Sequence, residues 1–252
     1  MKQTIARVIS SKQVMPGTFL TWLESPEIAT SARPGQFVMV LCGEETVLRR
    51  PLSVHRVLGD RLALLFAVIG KGTQWLAERE SGDGVDVIGP LGNGFTPSPE
   101  SRNLLLVAGG MGIAPLCFLA EDAVRQGKNV RLLYGTASRD RCPVITGIAE
   151  VAVTEDGSVG YRGLVTDLIP EHIDWADQVF ACGPPEMYRD MASRVEMFAG
   201  KPVQVSLETR MGCGRGICYA CTIKTRNGLK QVCTDGPVFG LDEIVWDALD
   251  SL

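Results

Sequence analysis

Four of the chain's eight cysteines, Cys213, Cys218, Cys221 and Cys233, stand in one stretch, MGCGRGICYACTIKTRNGLKQVC (residues 211–233). Three chemistries compete for such a set: disulfide bonds, a structural zinc site, or an iron–sulfur cluster. At 252 residues the chain has room for a substantial core and more than one domain, so it is no small disulfide-stapled scaffold. The amino-terminal MKQTIARVISSK has no apolar run behind it, and no segment approaches the roughly 18 uninterrupted apolar residues of a membrane span. The expectation is a cytoplasmic protein with no membrane partner, in a reducing compartment where clustered thiols serve metal or redox chemistry. A net charge of −4 with scattered Lys and Arg argues against nucleic acid as a partner.

Spacing separates the two metals. Zinc sites usually present two short Cys pairs divided by a longer loop. Here the order is C-x4-C-x2-C-x11-C, and its first three positions match the plant-type [2Fe–2S] loop, to which a fourth Cys comes from elsewhere in the fold. Gly212, Gly214 and Gly216 between them suit a loop whose amide N–H groups approach sulfur. The pattern favours a [2Fe–2S] cluster, with zinc and unligated thiols as the alternatives. Cys42, Cys117 and Cys142 are isolated and read as small, partly buried residues.

Four further motifs point to phosphate. RRPLSV sets Arg49, Arg50 and Ser53 about a proline, a plausible diphosphate clamp or an edge strand with solvated arginines. GKGT (residues 70–73) precedes a helix and offers either amide donors to a phosphate or a tight turn capped by threonine. VAGGMGIAPL (residues 107–116) leaves a strand, turns on three glycines and enters a helix, yet it departs from G-x-G-x-x-G and no acid closes the next strand at LLYGTASRD. ACGPPEMY (residues 181–188) ends a later strand, where Cys182, Gly183 and Pro184 and the Gly109–Gly112 loop are expected to meet; a buried strand-end thiol is the bland reading of Cys182.

The elements needed to hold these motifs are legible in outline. TIARVIS, GTFLTWLE, GQFVMVLC, PLSVHRV and RLALLFAVIG are short strands between turn signals, which predicts an antiparallel barrel, with one helix at TQWLAERE. After the linker PLGNGFTPSPESR, strands at NLLLVAGG, NVRLLYG, VAVT and ADQVFACG alternate with helices at APLCFLAEDAVRQG and PPEMYRDMASRVEMFAG, which predicts a parallel sheet covered on both faces. VQVSLE is expected to close that sheet. The bounds read 1–98 for the barrel, 99–205 for the α/β part and 206–252 for a small cysteine domain.

PGQFV, RRPLSV, GKGT, GPLGNGF, GGMGIAPL and CGPPEMY together resemble the ferredoxin reductase superfamily. RMGCGRGICYACTIK with VCTDGPVF resembles one branch, the electron-transfer subunits of NAD-linked (type B) dihydroorotate dehydrogenases, over essentially the whole chain. A related reductase subunit of flavin-bifurcating enzymes has Asp in place of the first cysteine, against which Cys213 speaks. The resemblance implies an FAD-binding β barrel, an NAD-binding α/β domain and a C-terminal [2Fe–2S] domain. It implies FAD on Arg50, Pro51, Leu52 and Ser53, with Phe66, Ala67 and Val68 along the ring and Gly72 and Thr73 as a second phosphate contact. It implies NAD(H) at Gly109, Gly110, Gly112, Cys182, Gly183 and Pro184, and the cluster on the four cysteines. No catalytic acid or base is expected, His55 and His172 being structural or exposed, and Arg139 is the one candidate for a 2′-phosphate contact. An FMN-containing catalytic subunit is the implied partner, in a heterotetramer serving pyrimidine synthesis. The alternative is an NAD(P)H-dependent reductase component feeding an oxygenase or other acceptor.

Overall fold

The computed structural model describes residues 1–141 and 149–249. Cys142 lies outside the described residues. Six strands, β1 (Lys2–Met15), β2 (Thr18–Glu24), β3 (Phe37–Val40), β4 (Arg50–Leu58), β5 (Arg61–Ala67) and β6 (Gly84–Leu91), close an antiparallel barrel in the order β1-β2-β5-β4-β3-β6. Closure pairs the first strand with the sixth, Lys2 to Arg7 against Gly89 to Gly84, so the sheet has no edge strand. The sixth strand, GVDVIGPL, is absent from the expected runs. A short helix α1 (Pro26–Ala29) follows β2, and α2 (Lys71–Ala77) starts on the lysine of GKGT, two residues before the predicted helix.

The second part is a sheet of β7 (Asn103–Gly109), β8 (Asn129–Thr136), β9 (Ala149–Thr154), β10 (Tyr161–Arg162), β11 (Gln178–Cys182) and β12 (Val203–Ser206), all parallel, in the order β10-β9-β8-β7-β11-β12. Helix α3 (Ile113–Arg125) follows β7, a short α4 (Ile169–His172) precedes β11, and α5 (Pro185–Ser193) follows it. The helix expected over 184–200 stops at Ser193 and tightens into a 3-10 turn that buries Phe198 while Val195 stays exposed. VQVSLE does not close the sheet. The last strand, β15 (Val238–Gly240), pairs antiparallel with β12, setting Phe239 opposite Val205, and extends the sheet from beyond the cysteine loop. Three residues are too few to show a period in sequence. A hairpin of β13 (Thr222–Thr225) and β14 (Gly228–Gln231) lies between the third and fourth clustered cysteines.

One apolar core joins these parts. Phe37, Met39, Ile88 and Leu91 from the barrel pack in the same cluster as Val107 and Val205 from the sheet and as Met211, Cys221 and Phe239 from the cysteine segment. A second seam runs between β4 and α3, where buried His55 bonds through Nδ1 to the Ala114 carbonyl at 2.9 Å and Arg56 pairs with Glu121 at 2.7 Å. Among the described residues no helix is long and apolar enough to cross a membrane.

Burial pushes the pKa of His55 from 6.5 down to about 4, against the opposing bond to Ala114 and with the charge of Arg56 adding to the fall. Between those values the unfolded chain takes up a proton that the folded chain refuses. The resulting stabilisation is complete above the unfolded value and is lost as pH falls through the folded one, roughly 3 kcal/mol in all. Urea unfolding at a series of pH values across that window will show the loss. His55→Asn, which keeps a donor for Ala114 but binds no proton, will lack that part of the slope.

Candidate functional site

Strands β4 and β5 pair from Leu58–Arg61 to Val54–Leu64 and no further. Beyond that point Arg50–Ser53 stays paired to β3, and Leu65–Ala67 stays paired to β2. The two segments therefore turn unpaired backbone edges toward each other, a slot in the barrel wall with peptide donors and acceptors on both sides. Phe66 keeps its ring inside the barrel, stacked on Phe19 at 6.3 Å, so the segment gives the slot its backbone. Val68 closes one end, its N–H donating to the Gly17 carbonyl.

Of the two arginines, the structure frees one. Arg49 is held by Asp86 through both terminal guanidinium nitrogens, at 3.0 and 2.6 Å. Arg50 donates to the carbonyl of Leu48 and passes so close to Gly72 that a Cβ there would stand 2.9 Å from its Nε and 3.3 Å from Cys42 Cβ. Clamp and phosphate turn, twenty-two residues apart, thus meet. The Thr73 hydroxyl accepts from the Ile69 N–H at 2.9 Å and donates to the Gly70 carbonyl, so it belongs to the turn. The amides of the first turn of α2 remain as donors. A half-buried guanidinium over a glycine turn, beside a slot with open peptide edges, fits a flavin dinucleotide.

In the sheet, β8, β9 and β10 lie to one side of β7 and β11 to the other, so the strand order reverses between β7 and β11. Ligands of open α/β sheets bind outside the carboxyl ends at such a point. Both nucleotide motifs stand there. A Cβ on Gly112 would fall 1.9 Å from the Cys182 carbonyl oxygen, and one on Gly109 would fall 2.8 Å from Pro184 Cδ. Gly110 turns the loop with φ +54°. The Cys182 thiol is fully buried and pushed above the usual thiol range, chiefly by burial, so this residue gives the crevice its backbone. Tyr188 locks the corner, its hydroxyl accepting from the Gly183 N–H at 2.8 Å and donating to the Ser206 carbonyl at 2.6 Å. Arg139 is turned toward the carbonyl of Ser158 at 3.0 Å.

The four cysteines converge as two pairs. The side chains of Cys213 and Cys218 contact one another, as do those of Cys221 and Cys233. Zinc asks for four ligands about one point, whereas a two-iron cluster is held by four thiolates shared between its irons. The two-and-two arrangement fits the cluster. Backbone N–H groups surround the sulfurs: Arg215, Ile217 and Cys218 donate to Cys213 Sγ at 3.3 to 3.4 Å, and Gly216 donates to Cys233 Sγ at 3.2 Å. Burial opposes ionisation of Cys213, but these donors outweigh it and bring the thiol down to about 6. Gly214, at φ +66°, lies against the barrel, where a Cβ would be 2.6 Å from Met39 Cγ. Met39 is the register partner of Pro51.

Residues 208–245 match the family described as the iron–sulfur cluster binding domain of dihydroorotate dehydrogenase B. The electron transfer subunit of dihydroorotate dehydrogenase B (NAD(+)) from Desulforamulus reducens is 40% identical, over 96% of this chain and 98% of that protein. The chain belongs to this family of electron transfer subunits. The Geobacillus thermodenitrificans subunit is 37% identical over 94% of this chain and 96% of its own length. A chain of the NADH-dependent reduced ferredoxin-NADP oxidoreductase, solved for its flavin-based electron bifurcation, superposes with TM-score 0.86 at 31% identity, over 98% of this chain and 91% of that one. A ferredoxin NADP+ reductase from Neisseria gonorrhoeae shares the fold at TM-score 0.64 and 20% identity, over 78% of this chain and 91% of that one.

In this family member two residues that the sequence reading passed over belong to the same region. Glu208 follows β12 by two residues and is exposed, within electrostatic reach of Cys182 and Tyr188. Glu208 and Cys182 lie on neighbouring strand ends, β12 and β11, so only strand order could have brought them together. Asn93 ties the barrel to the cysteine segment, its amide donating to the Thr234 and Asp235 carbonyls at 3.1 and 3.0 Å.

The two glycine approaches separate the cofactors experimentally. Gly72→Ala, which displaces Arg50, is expected to weaken FAD retention about ten-fold and leave the fold intact. Gly112→Ala meets backbone and is expected to cost about 2 kcal/mol or more, with loss of nicotinamide nucleotide binding but retained flavin. Flavin content after gel filtration and calorimetric titration with NAD+ measure the two.

Proposed function

We propose that this chain relays electrons between a dihydroorotate-oxidising catalytic subunit and NAD through a [2Fe–2S] cluster and FAD, in pyrimidine synthesis. The observation that carries the reading is the sequence of contacts Gly214–Met39–Pro51, which sets the cysteine loop one strand away from the flavin motif. The bounds 1–98, 99–205 and 206–252 give these three parts their roles, and a site that keeps four cysteines as cluster ligands suits the reducing cytoplasm.

FAD is assigned to Arg50, Pro51, Leu52 and Ser53, to Phe66, Ala67 and Val68, and to Gly72 and Thr73. NAD(H) is assigned to Gly109, Gly110 and Gly112 with Cys182, Gly183 and Pro184. The cluster is assigned to Cys213, Cys218, Cys221 and Cys233. A bound flavin exchanges electrons in pairs with nicotinamide and singly with an iron–sulfur cluster, which no side chain can do. The residues' own part is electrostatic and geometric. Arg50 would set a permanent positive charge against the diphosphate of a bound FAD, and the amides on Cys213 and Cys233 would hold the negative charge of the thiolates. The glycines let backbone approach phosphate.

The partner is an FMN-containing subunit in a heterotetramer, docked on the surface around Cys218. There residues 217–220 are all exposed, and Ile217 and Tyr219 present 72% and 68% of their surface. Exposed apolar side chains beside a cluster ligand suit a protein partner.

Purified alone and loaded with both cofactors, the chain is expected to reduce ferricyanide with NADH and to leave dihydroorotate untouched until the partner is added. Dihydroorotate oxidation by the isolated chain would overturn the division of labour. Ile217→Glu with Tyr219→Glu is expected to lower partner-dependent NAD+ reduction about ten-fold or more, with iron and FAD contents retained.

A further inference from the structure

Strand β4 carries the flavin motif at one end and a fixed contact to the nucleotide half at the other. Its register against β5 jumps between Val54, opposite Leu64, and Arg56, opposite Ala63. His55 is the extra residue of this bulge, and bulges re-aim side chains. The ring leaves the barrel and enters the seam with α3, where it is 5% exposed and 2.9 Å from the Ala114 carbonyl. A carbonyl oxygen only accepts, so the ring donates from Nδ1. Ala114 lies two residues past Gly112, whose other side is pressed on Cys182. The first turn of α3 is therefore held between the sheet and β4, and the strand that holds it also carries Arg50 to Ser53.

We propose that His55 is a positioning residue: by donating to Ala114 it fixes the Gly109–Gly112 loop at a set approach to the Arg50–Ser53 segment of its own strand. The inference rests on the reading of those segments as the nucleotide and flavin sites. Phe118, one turn further along α3, packs into the barrel core and keeps the helix docked without the histidine. The hydrogen bond therefore contributes orientation more than attachment.

The test uses the FAD- and cluster-loaded protein and its His55→Leu and His55→Asn variants. Two quantities are read: the rate at which saturating NADH bleaches the flavin under anaerobic conditions, and amide hydrogen exchange over residues 109–118. His55→Leu is expected to slow bleaching about ten-fold, with half-saturation by NADH and FAD content within about two-fold of wild type, and to speed exchange in that segment. His55→Asn, whose amide occupies the Nδ1 position, is expected to restore both. Wild-type bleaching in His55→Leu, or a His55→Asn variant as slow as His55→Leu, would overturn the proposal. If His55→Leu does not retain FAD, His55→Gln replaces it: its amide reaches one bond further, and equal rates for Gln and Asn would overturn the proposal. A wild-type flavin that NADH does not bleach would instead sink the nucleotide reading, and the exchange comparison would still decide whether His55 holds α3.

Discussion

The contact of Gly214 with Met39 governs this molecule. A cysteine loop can hold a cluster anywhere on a surface, but electron transfer falls steeply with separation, so the loop must lie against whatever holds the flavin. Gly214 lets the loop backbone rest directly on the side chain of β3, and β3 is hydrogen-bonded to Arg50–Ser53 of β4, the proposed flavin segment, with Met39 opposite Pro51. Adjacent strands lie about 5 Å apart. Everything that fixes the loop in that place serves this contact: the pairing of β15 with β12, the Asn93 amide on the carbonyls after Cys233, and the apolar core shared by barrel, sheet and cysteine segment.

Strand β4 is asked to do two incompatible things and solves them by changing partners along its length. At its start it leaves β5, which opens the slot. At its end it pairs fully with β5, and the bulge at His55 sends a polar ring outward to α3. A regular strand would have kept β5 paired and the slot shut. The bulge therefore separates a binding half from a docking half within nine residues.

The proposed site relies almost wholly on backbone groups and one permanent cation. Peptide N–H groups face the cysteine sulfurs, peptide edges line the slot, and glycines bring the nucleotide loop onto Cys182. Such dipoles are fixed by the fold and need no proton transfer. Both histidines have been drawn into structure instead, His55 into the seam and His172 against Arg131 at 2.9 Å.

The sequence by itself determined the chemistry of the cysteine loop, the barrel followed by alternating strands and helices, and the places of the glycine turns, because spacing, period and turn residues are local properties. It could not show that β6 completes the barrel or that a three-residue β15 joins the sheet, since pairing partners distant in sequence decide both. It grouped Arg49 with Arg50; only the fold assigns Arg49 to Asp86 and leaves Arg50 beside Gly72. It offered Cys182 by residue type, whereas tertiary burial turns the thiol away and keeps the carbonyl under Gly112. Residue types and spacings state which groups are present; burial, register and close approach select which of them face a ligand, and those arise only when distant segments pack.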